Sequence, residues 1–213
     1  MENKEQVLNF FKEINYNSED EKDGKNYRYY HPLRVLKLSE RIIKSEVLQE
    51  KVSIGCTIIL SLFHDIGKNK KLALEKRLFL DEHDKNNIVL FEEFIVPFIK
   101  NENDKDYVIK LIVDFSNKKF DLTESKIVHD ADNLDEIGML NFWRLAVYAG
   151  KHNQDIKEAI DYYFSFDRQD KIRKSGELFF KSSKNIAKER MEKMDKALIK
   201  FKEETFMDSI ETS

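Results

Sequence analysis

Histidine is scarce in this chain, five in 213 residues, and one of them, His64, is followed directly by Asp65 in the phrase Leu62-Phe63-His64-Asp65-Ile66-Gly67-Lys68. An imidazole and a carboxylate at the end of an apolar stretch are costly to bury unless something compensates. A divalent cation does so: imidazole and carboxylate together suit Mn, Fe, Co, Ni or Zn, and carboxylate suits Mg as well. Adjacent helical residues point about 100° apart, so both reach one ion most easily where the helix is ending. A His-Asp pair by itself is equally what a hydrogen-bonded helix end looks like. Two other groups give it context. His31 stands beside Pro32, and an acidic run, Asp130-Ala131-Asp132-Asn133-Leu134-Asp135-Glu136, comes later. On a helix Asp130 and Asp132 project about 200° apart, so only one of them can face a shared ion. Spacing alone leaves either open, and His129, three positions before Asp132, lies within about 60° of it.

The elements that must carry these residues read as helices. Six glycines and two prolines provide little of the punctuation that strands and tight turns need, and Lys, Glu, Leu and Ile favour helix. The fold class is therefore all-α. A short helix is expected over Lys4 to Ile14, followed by an exposed polar loop over Asn15 to Lys25 with no functional role. Leu33, Leu36, Leu38 and Ile42 or Ile43 recur at helical spacing, which predicts an amphipathic helix starting at His31-Pro32. A core helix from about Val52 to Ile66 should stop at Gly67 in the left-handed conformation, putting His64 and Asp65 in its last turn. Lys70 to Asn86 reads as a charged connector, with scaffold helices near Ile88 to Ile99 and Asp106 to Phe115. One segment from Thr123 to Tyr148, capped by Thr123 or Ser125, would bring the acidic run to the site. Helices near Ile156 to Phe166 and Gly176 to Phe206 complete the chain, the last packing along the whole domain.

Composition narrows the function. With 41% hydrophobic residues and this length, one domain over 1–213 is expected. The 37 basic and 40 acidic residues give a net charge of -3, so no extended nucleic-acid surface is implied, and an anion must be met by a local pocket. The lone Cys56 fits a reducing compartment. The charged start, with Glu2, Lys4 and Glu5, lacks a secretory signal, so a cytoplasmic location is expected. The longest apolar stretch, Val52 to Phe63, falls short of a membrane span.

In the order of these groups, the phrases His-Asp-Ile-Gly-Lys (64–68) and Asp-Ala-Asp-Asn-Leu-Asp-Glu-Ile-Gly (130–138), the sequence resembles the HD superfamily of metal-dependent phosphohydrolases over roughly His31 to Gly150. The resemblance implies a helical bundle, with a core at about 27–150 and C-terminal helices at about 153–206. It also implies a divalent ion, Mn or Mg foremost, held by His31, His64, Asp65 and Asp132, the last because Ala131-Asp132-Asn133-Leu134 matches the family's Ala-Asp-x-Leu. The sequence is most similar to small stand-alone members whose acidic phrase is followed by an arginine and Tyr-x-Gly, here Arg144 and Tyr148-Ala149-Gly150. Several of those resemble nucleotide hydrolases, which makes a nucleotide the implied substrate class. Two departures stand out. The branch commonly has His-Asp-x-x-His where this chain has Tyr27 and Arg28 before His31, and a later histidine is replaced by Phe115, which argues against a two-metal site.

The chemistry expected is attack on phosphorus by a metal-activated water. Asp65 would be both ligand and the group that orients or deprotonates the water. Lys68, one turn beyond His64, is the first choice for a phosphate contact, with Arg34, Arg144 and Arg28 after it. Asp135 and Glu136 could accept hydrogen bonds from metal-bound water or substrate hydroxyls, and His83 could contact substrate or a second ion. The rival readings are a nucleotide-binding regulatory protein without turnover and a di-iron oxygenase on the same scaffold, the latter needing more ligands than can be placed.

Overall fold

The computed structural model describes residues 4–16, 27–79 and 81–205. Everything regular among them is helical. The order is α1 (Lys4–Asn15), α2 (Tyr27–Ser45), α3 (Ile54–Phe63), a 3-10 turn (Ile66–Lys68), α4 (Lys70–Glu75) and α5 (His83–Leu90), which runs on through a π stretch (Phe91–Ile95) and a 3-10 turn (Val96–Phe98). Then come α6 (Glu102–Ser116), α7 (Thr123–Asp135), α8 (Met139–Lys151), α9 (Ile156–Tyr162), a second π stretch (Tyr163–Asp167), α10 (Arg168–Glu177) and α11 (Lys181–Glu204). Residues 17–25 of the expected polar loop, and the end of the last helix at Phe206, lie outside the described residues.

α3 is the axis of the main core. Every residue from Cys56 to Phe63 is buried, because it is packed by α2, α6, α7 and α1 on different sides, and a helix apolar all round must be covered all round. α2 lies against both α3 and α7, and Val35, Leu36, Leu38, Ile42 and Ile43 form its inward stripe. A second apolar cluster joins α8 and α9 to the far end of α11 through Leu145, Ala149, Ile160, Tyr163, Met194 and Leu198.

Several expected boundaries need correction. α2 begins at Tyr27, so His31 sits one turn inside it and not at its entrance. Pro32 therefore lies inside the helix, in its second turn, and has no N–H to donate to the Arg28 carbonyl one turn back. The helix carrying His64 ends at Phe63, and Gly67 is not left-handed: among the described glycines only Gly138 has positive φ. Gly67 is required for another reason. A Cβ there would stand 2.3 Å from the His83 carbonyl oxygen and 2.6 Å from the Asn87 amide nitrogen, while its own N–H donates to Asn87 Oδ1 at 2.6 Å. The connector of 70–86 contains α4 and the start of α5, with Asn69 capping α4 through the Leu72 amide at 3.2 Å. The segment of 123–148 is two helices, broken where Gly138 takes φ +98. Neither Thr123 nor Ser125 caps α7; its N-cap is Leu122, and Asp114 accepts from the amides of Asp121 and Leu122 at 3.1 and 3.3 Å.

Candidate metal centre

Three helices converge on one spot. α2 brings His31, the turn after α3 brings His64 and Asp65, and the last turns of α7 bring Asp132 and Asp135. His31 Nε2 lies 3.1 Å and His64 Nε2 3.6 Å from Asp132 Oδ1. The candidate donor atoms of His31, His64 and Asp132 are all within 4.8 Å of one another. Two donors each about 2.1 Å from a common ion stand roughly 3.0 to 3.4 Å apart, so this spacing needs little adjustment.

The tautomers are set from outside the cluster. His64 Nδ1 donates to the Ser61 carbonyl at 3.0 Å, which leaves the Nε2 lone pair facing inward. That Nε2 is fully buried with no hydrogen-bond partner, a condition that costs about 1–3 kcal/mol when nothing is bound. His31 Nδ1 donates to Asp135 Oδ2 at 2.8 Å, and Arg34 grips the same carboxylate twice, Nε to Oδ1 at 2.7 Å and Nη2 to Oδ2 at 2.9 Å. This is the carboxylate–histidine pairing that orients a ligand imidazole and raises its basicity. The donor set of two imidazoles and a carboxylate fits a divalent cation in chemistry as well as spacing.

Charge follows the geometry. Burial pulls the His31 pKa down, but the hydrogen bonds and charges of Asp132 and Asp135, with Asp65 behind them, outweigh it and lift the imidazole to about 9. Burial opposes ionisation of Asp132, yet the two imidazoles hold its carboxyl well below the usual range. Asp65 is likewise held low against its burial by His64 and Lys68. Its Oδ2 is 3.9 Å from His31 Nε2 and its Oδ1 3.9 Å from His64 Nε2, one step farther out than Asp132. Lys68 Nζ donates to Asp65 Oδ2 at 2.6 Å, and Arg28 Nη1 lies 3.5 Å from the same oxygen.

Of the residues expected to meet substrate, Lys68 and Arg28 line the cavity of about 450 Å³ that opens beside His31 and Asp65. The others are employed elsewhere. Asp135 is buried under His31 and Arg34, and Arg34 is committed to it, so neither lines that cavity. Arg144 lies 5.5 Å from the centre of the Tyr27 ring and beside Glu136 at 3.6 Å; Glu136 is itself paired with Lys174 and Lys171. His83 sits behind the His64-Asp65 turn, its Nδ1 3.5 Å from the Gly67 carbonyl, and does not line the cavity either. His129 packs between Phe120 and Phe179. Asp130 is fully buried and accepts from the amides of Phe179 and Phe180 at 2.9 Å each, which separates it from Asp132. Phe115 rests edge-on against His64 at 5.5 Å.

Sequence reasoning passed over several residues. Tyr27 stacks on His31 with centroids 5.4 Å apart and planes 8° off parallel. Glu13, at the end of α1, lines the cavity, as do Asn15 and Tyr16, the start of the stretch expected to be a loop with no functional role. No periodicity marks such residues, because a cavity wall is assembled from separate elements.

Comparison with known proteins bears on this arrangement. The family profile described as HD domain matches residues 28–137. No curated protein matches the chain. Among solved structures, Bacillus subtilis YpgQ in complex with ADP is 22% identical, with 95% of this chain and 97% of that one covered at a TM-score of 0.60. The Lin1889 protein of Listeria innocua is 22% identical over 97% and 99%, TM-score 0.62. An HD-superfamily hydrolase from Bacillus thuringiensis is 20% identical over 96% and 97%, TM-score 0.62. At these identities the likeness shows a shared fold.

Proposed function

This chain belongs to the HD domain family, and we propose that it is a metal-dependent phosphohydrolase acting on a nucleotide or a related phosphate ester or anhydride. The observation that carries the reading is His64 Nε2, buried without a partner and facing His31 and Asp132. His31, His64 and Asp132 would hold the ion, with Asp65 as the fourth ligand. A divalent ion there, Mn or Mg foremost, supplies Lewis acidity toward a phosphoryl oxygen and lowers the pKa of water.

The protein's own groups do the rest. Asp65, ionised and facing both imidazoles, orients the attacking water and accepts its proton. Lys68, whose pKa the Asp65 carboxylate raises against the opposing effect of burial, stays charged and meets a phosphate oxygen, a charge-assisted contact that strengthens as negative charge develops. Arg34, Asp135 and Tyr27 hold the His31 ring in its plane. The apolar edge of Phe115 against His64 supports a single-ion site over the di-iron alternative. The nucleotide class is supported by the resemblance of the acidic phrase and by the ADP held by YpgQ.

The test is metal analysis of the purified protein combined with a panel of nucleoside mono-, di- and triphosphates, dinucleotides and simple phosphate esters, with and without added Mn or Mg. Metal-dependent release of phosphate or pyrophosphate is expected. Tight metal and nucleotide binding without turnover would replace this reading with a regulatory one.

A further inference from the structure

The cavity beside His31 and Asp65 is lined by two unlike groups of residues. Arg28, Lys68, Lys70 and Lys71 supply cations, and the end of α1 supplies Glu13, Asn15 and Tyr16. Against four cations the lining sets two carboxylates, Glu13 and Asp65. That excess suits a ligand with more than one negative charge. Arg28 brings one of these charges next to the candidate ligand Asp65, its Nη1 3.5 Å from Asp65 Oδ2.

α1 lies outside the matched family region of 28–137, yet it is tied to the metal-bearing turn. Asn69, which follows Lys68 and caps α4, donates from Nδ2 to the Ile14 carbonyl at 3.4 Å. Phe11 packs edge-on against Phe63, the last residue of α3, at 5.5 Å. Tyr16 belongs to the same lining. Its ring stands edge-on to Tyr29 at 5.2 Å and 85°, Lys12 Nζ lies over it at 5.6 Å from the ring centre, and the residue is 45% exposed. A half-exposed aromatic ring lining the same cavity as several cations offers a flat base a stacking surface and phosphates their counter-charges.

We propose that the end of α1 recognises the non-phosphate part of the substrate, with Tyr16 as the platform on which an aromatic base stacks, while Arg28, Lys70 and Lys71 take the phosphates between that base and the metal. The proposal rests on the nucleotide reading above and makes it specific: the ligand is a nucleoside carrying two or more phosphates, and its selectivity over inorganic pyrophosphate comes from α1.

Calorimetric titration of the Mn-loaded protein with ADP and with inorganic pyrophosphate tests this without relying on turnover. Tyr16→Leu should weaken ADP by about tenfold, the low end of the stacking range, and leave pyrophosphate within about twofold. Tyr16→Phe, which keeps the ring, should retain ADP binding. Arg28→Gln should weaken both ligands by about tenfold or more, with circular dichroism and Mn content as checks on folding. The proposal is overturned if Tyr16→Leu leaves ADP unchanged, if it weakens both ligands equally, if Tyr16→Phe is as poor as Tyr16→Leu, or if the parent protein binds pyrophosphate as tightly as ADP. Failure of the hydrolase reading would look different, as intact ADP selectivity with no metal-dependent turnover of any substrate.

Discussion

At the scale of single residues, the two aspartates that spacing could not separate stand in different surroundings. Asp132→Asn should cost most of the metal affinity, since its carboxylate faces the two imidazoles, and in the metal-free protein it should also lose the part of the stability that protonated His31 contributes through it. Asp130→Asn should keep metal stoichiometry but destabilise by about 1–3 kcal/mol, because a buried acceptor of the Phe179 and Phe180 amides is replaced by a group that also donates. Metal content and urea unfolding on both variants check this, and a reversed pattern would move the ligand to Asp130. Asp135→Asn should lower metal affinity about 10- to 100-fold through loss of the His31 partner, read by competition with a chelating dye. His31 also sets a pH dependence. Its pKa in the metal-free protein is raised to about 9 from an unfolded value near 6.5. The raised value means that protonated His31 contributes stability fully below about pH 6.5, and that this contribution is lost as pH rises through about 9. A metal must displace that proton, so metal affinity should climb between pH 6.5 and 9 with about one proton released per ion. Titrations in buffers of different ionisation enthalpy count the proton.

At the scale of elements, the His64-Asp65 turn depends on how closely the 3-10 turn of 66–68 approaches the start of α5. Gly67→Ala places its methyl against the His83 carbonyl and the Asn87 amide, both backbone, so relief requires moving α5 or the turn. We expect a loss of about 2–3 kcal/mol, the scale of an overpacked core, together with weaker metal binding, because Asp65 and Lys68 flank the displaced segment. A Gly67→Ala protein with parental melting temperature and metal affinity would show that this contact is softer than its geometry. Gly138 works differently. α7 closes at Asp135 with Glu136 as its C-cap, and Gly138, with φ +98, is the N-cap that turns the chain into α8, while Arg190 of α11 ties the joint by donating to the Leu134 carbonyl at 2.6 Å.

At the scale of the whole molecule, α11 spans both apolar clusters: Ile186 and Ala187 belong to the main core and Met194 and Leu198 to the smaller one. The metal cluster draws only on the former. Met194→Ala should therefore destabilise by about 2–5 kcal/mol while leaving metal stoichiometry and the stabilisation gained on adding Mn unchanged. Thermal melts with and without the ion distinguish this from a variant that also loses the metal increment, which would couple the second cluster to the site. Among the described residues no helix is long and apolar enough to cross a membrane. Trp143, Tyr148, Tyr162 and Phe166 are exposed nonetheless on the α8 and α9 side.

The sequence by itself determined the helical class, the family and the short list from which the cluster is built. Scarce glycine and proline, apolar periodicity and rare histidines are local properties that survive without coordinates. It also ranked Asp132 ahead of Asp130, through the family phrase and not through geometry. What only the tertiary structure decided is where side chains from different helices meet. Asp135, Arg34 and Arg144 read as substrate contacts in one dimension, and the fold shows the partners each has across helices: Asp135 with His31 and Arg34 of α2, and Arg144 with Glu136 and the Tyr27 ring. Gly67 was singled out correctly but for the wrong cause, since close approach by α5 leaves no trace in the residues around it. Asn15 and Tyr16 read as the start of an idle loop because nothing in their own composition says that Asn69 ties Ile14 beside them to the segment following His64 and Asp65. Contacts between residues far apart in sequence depend on how helices pack, and periodicity reports which face a helix buries, not what it meets there.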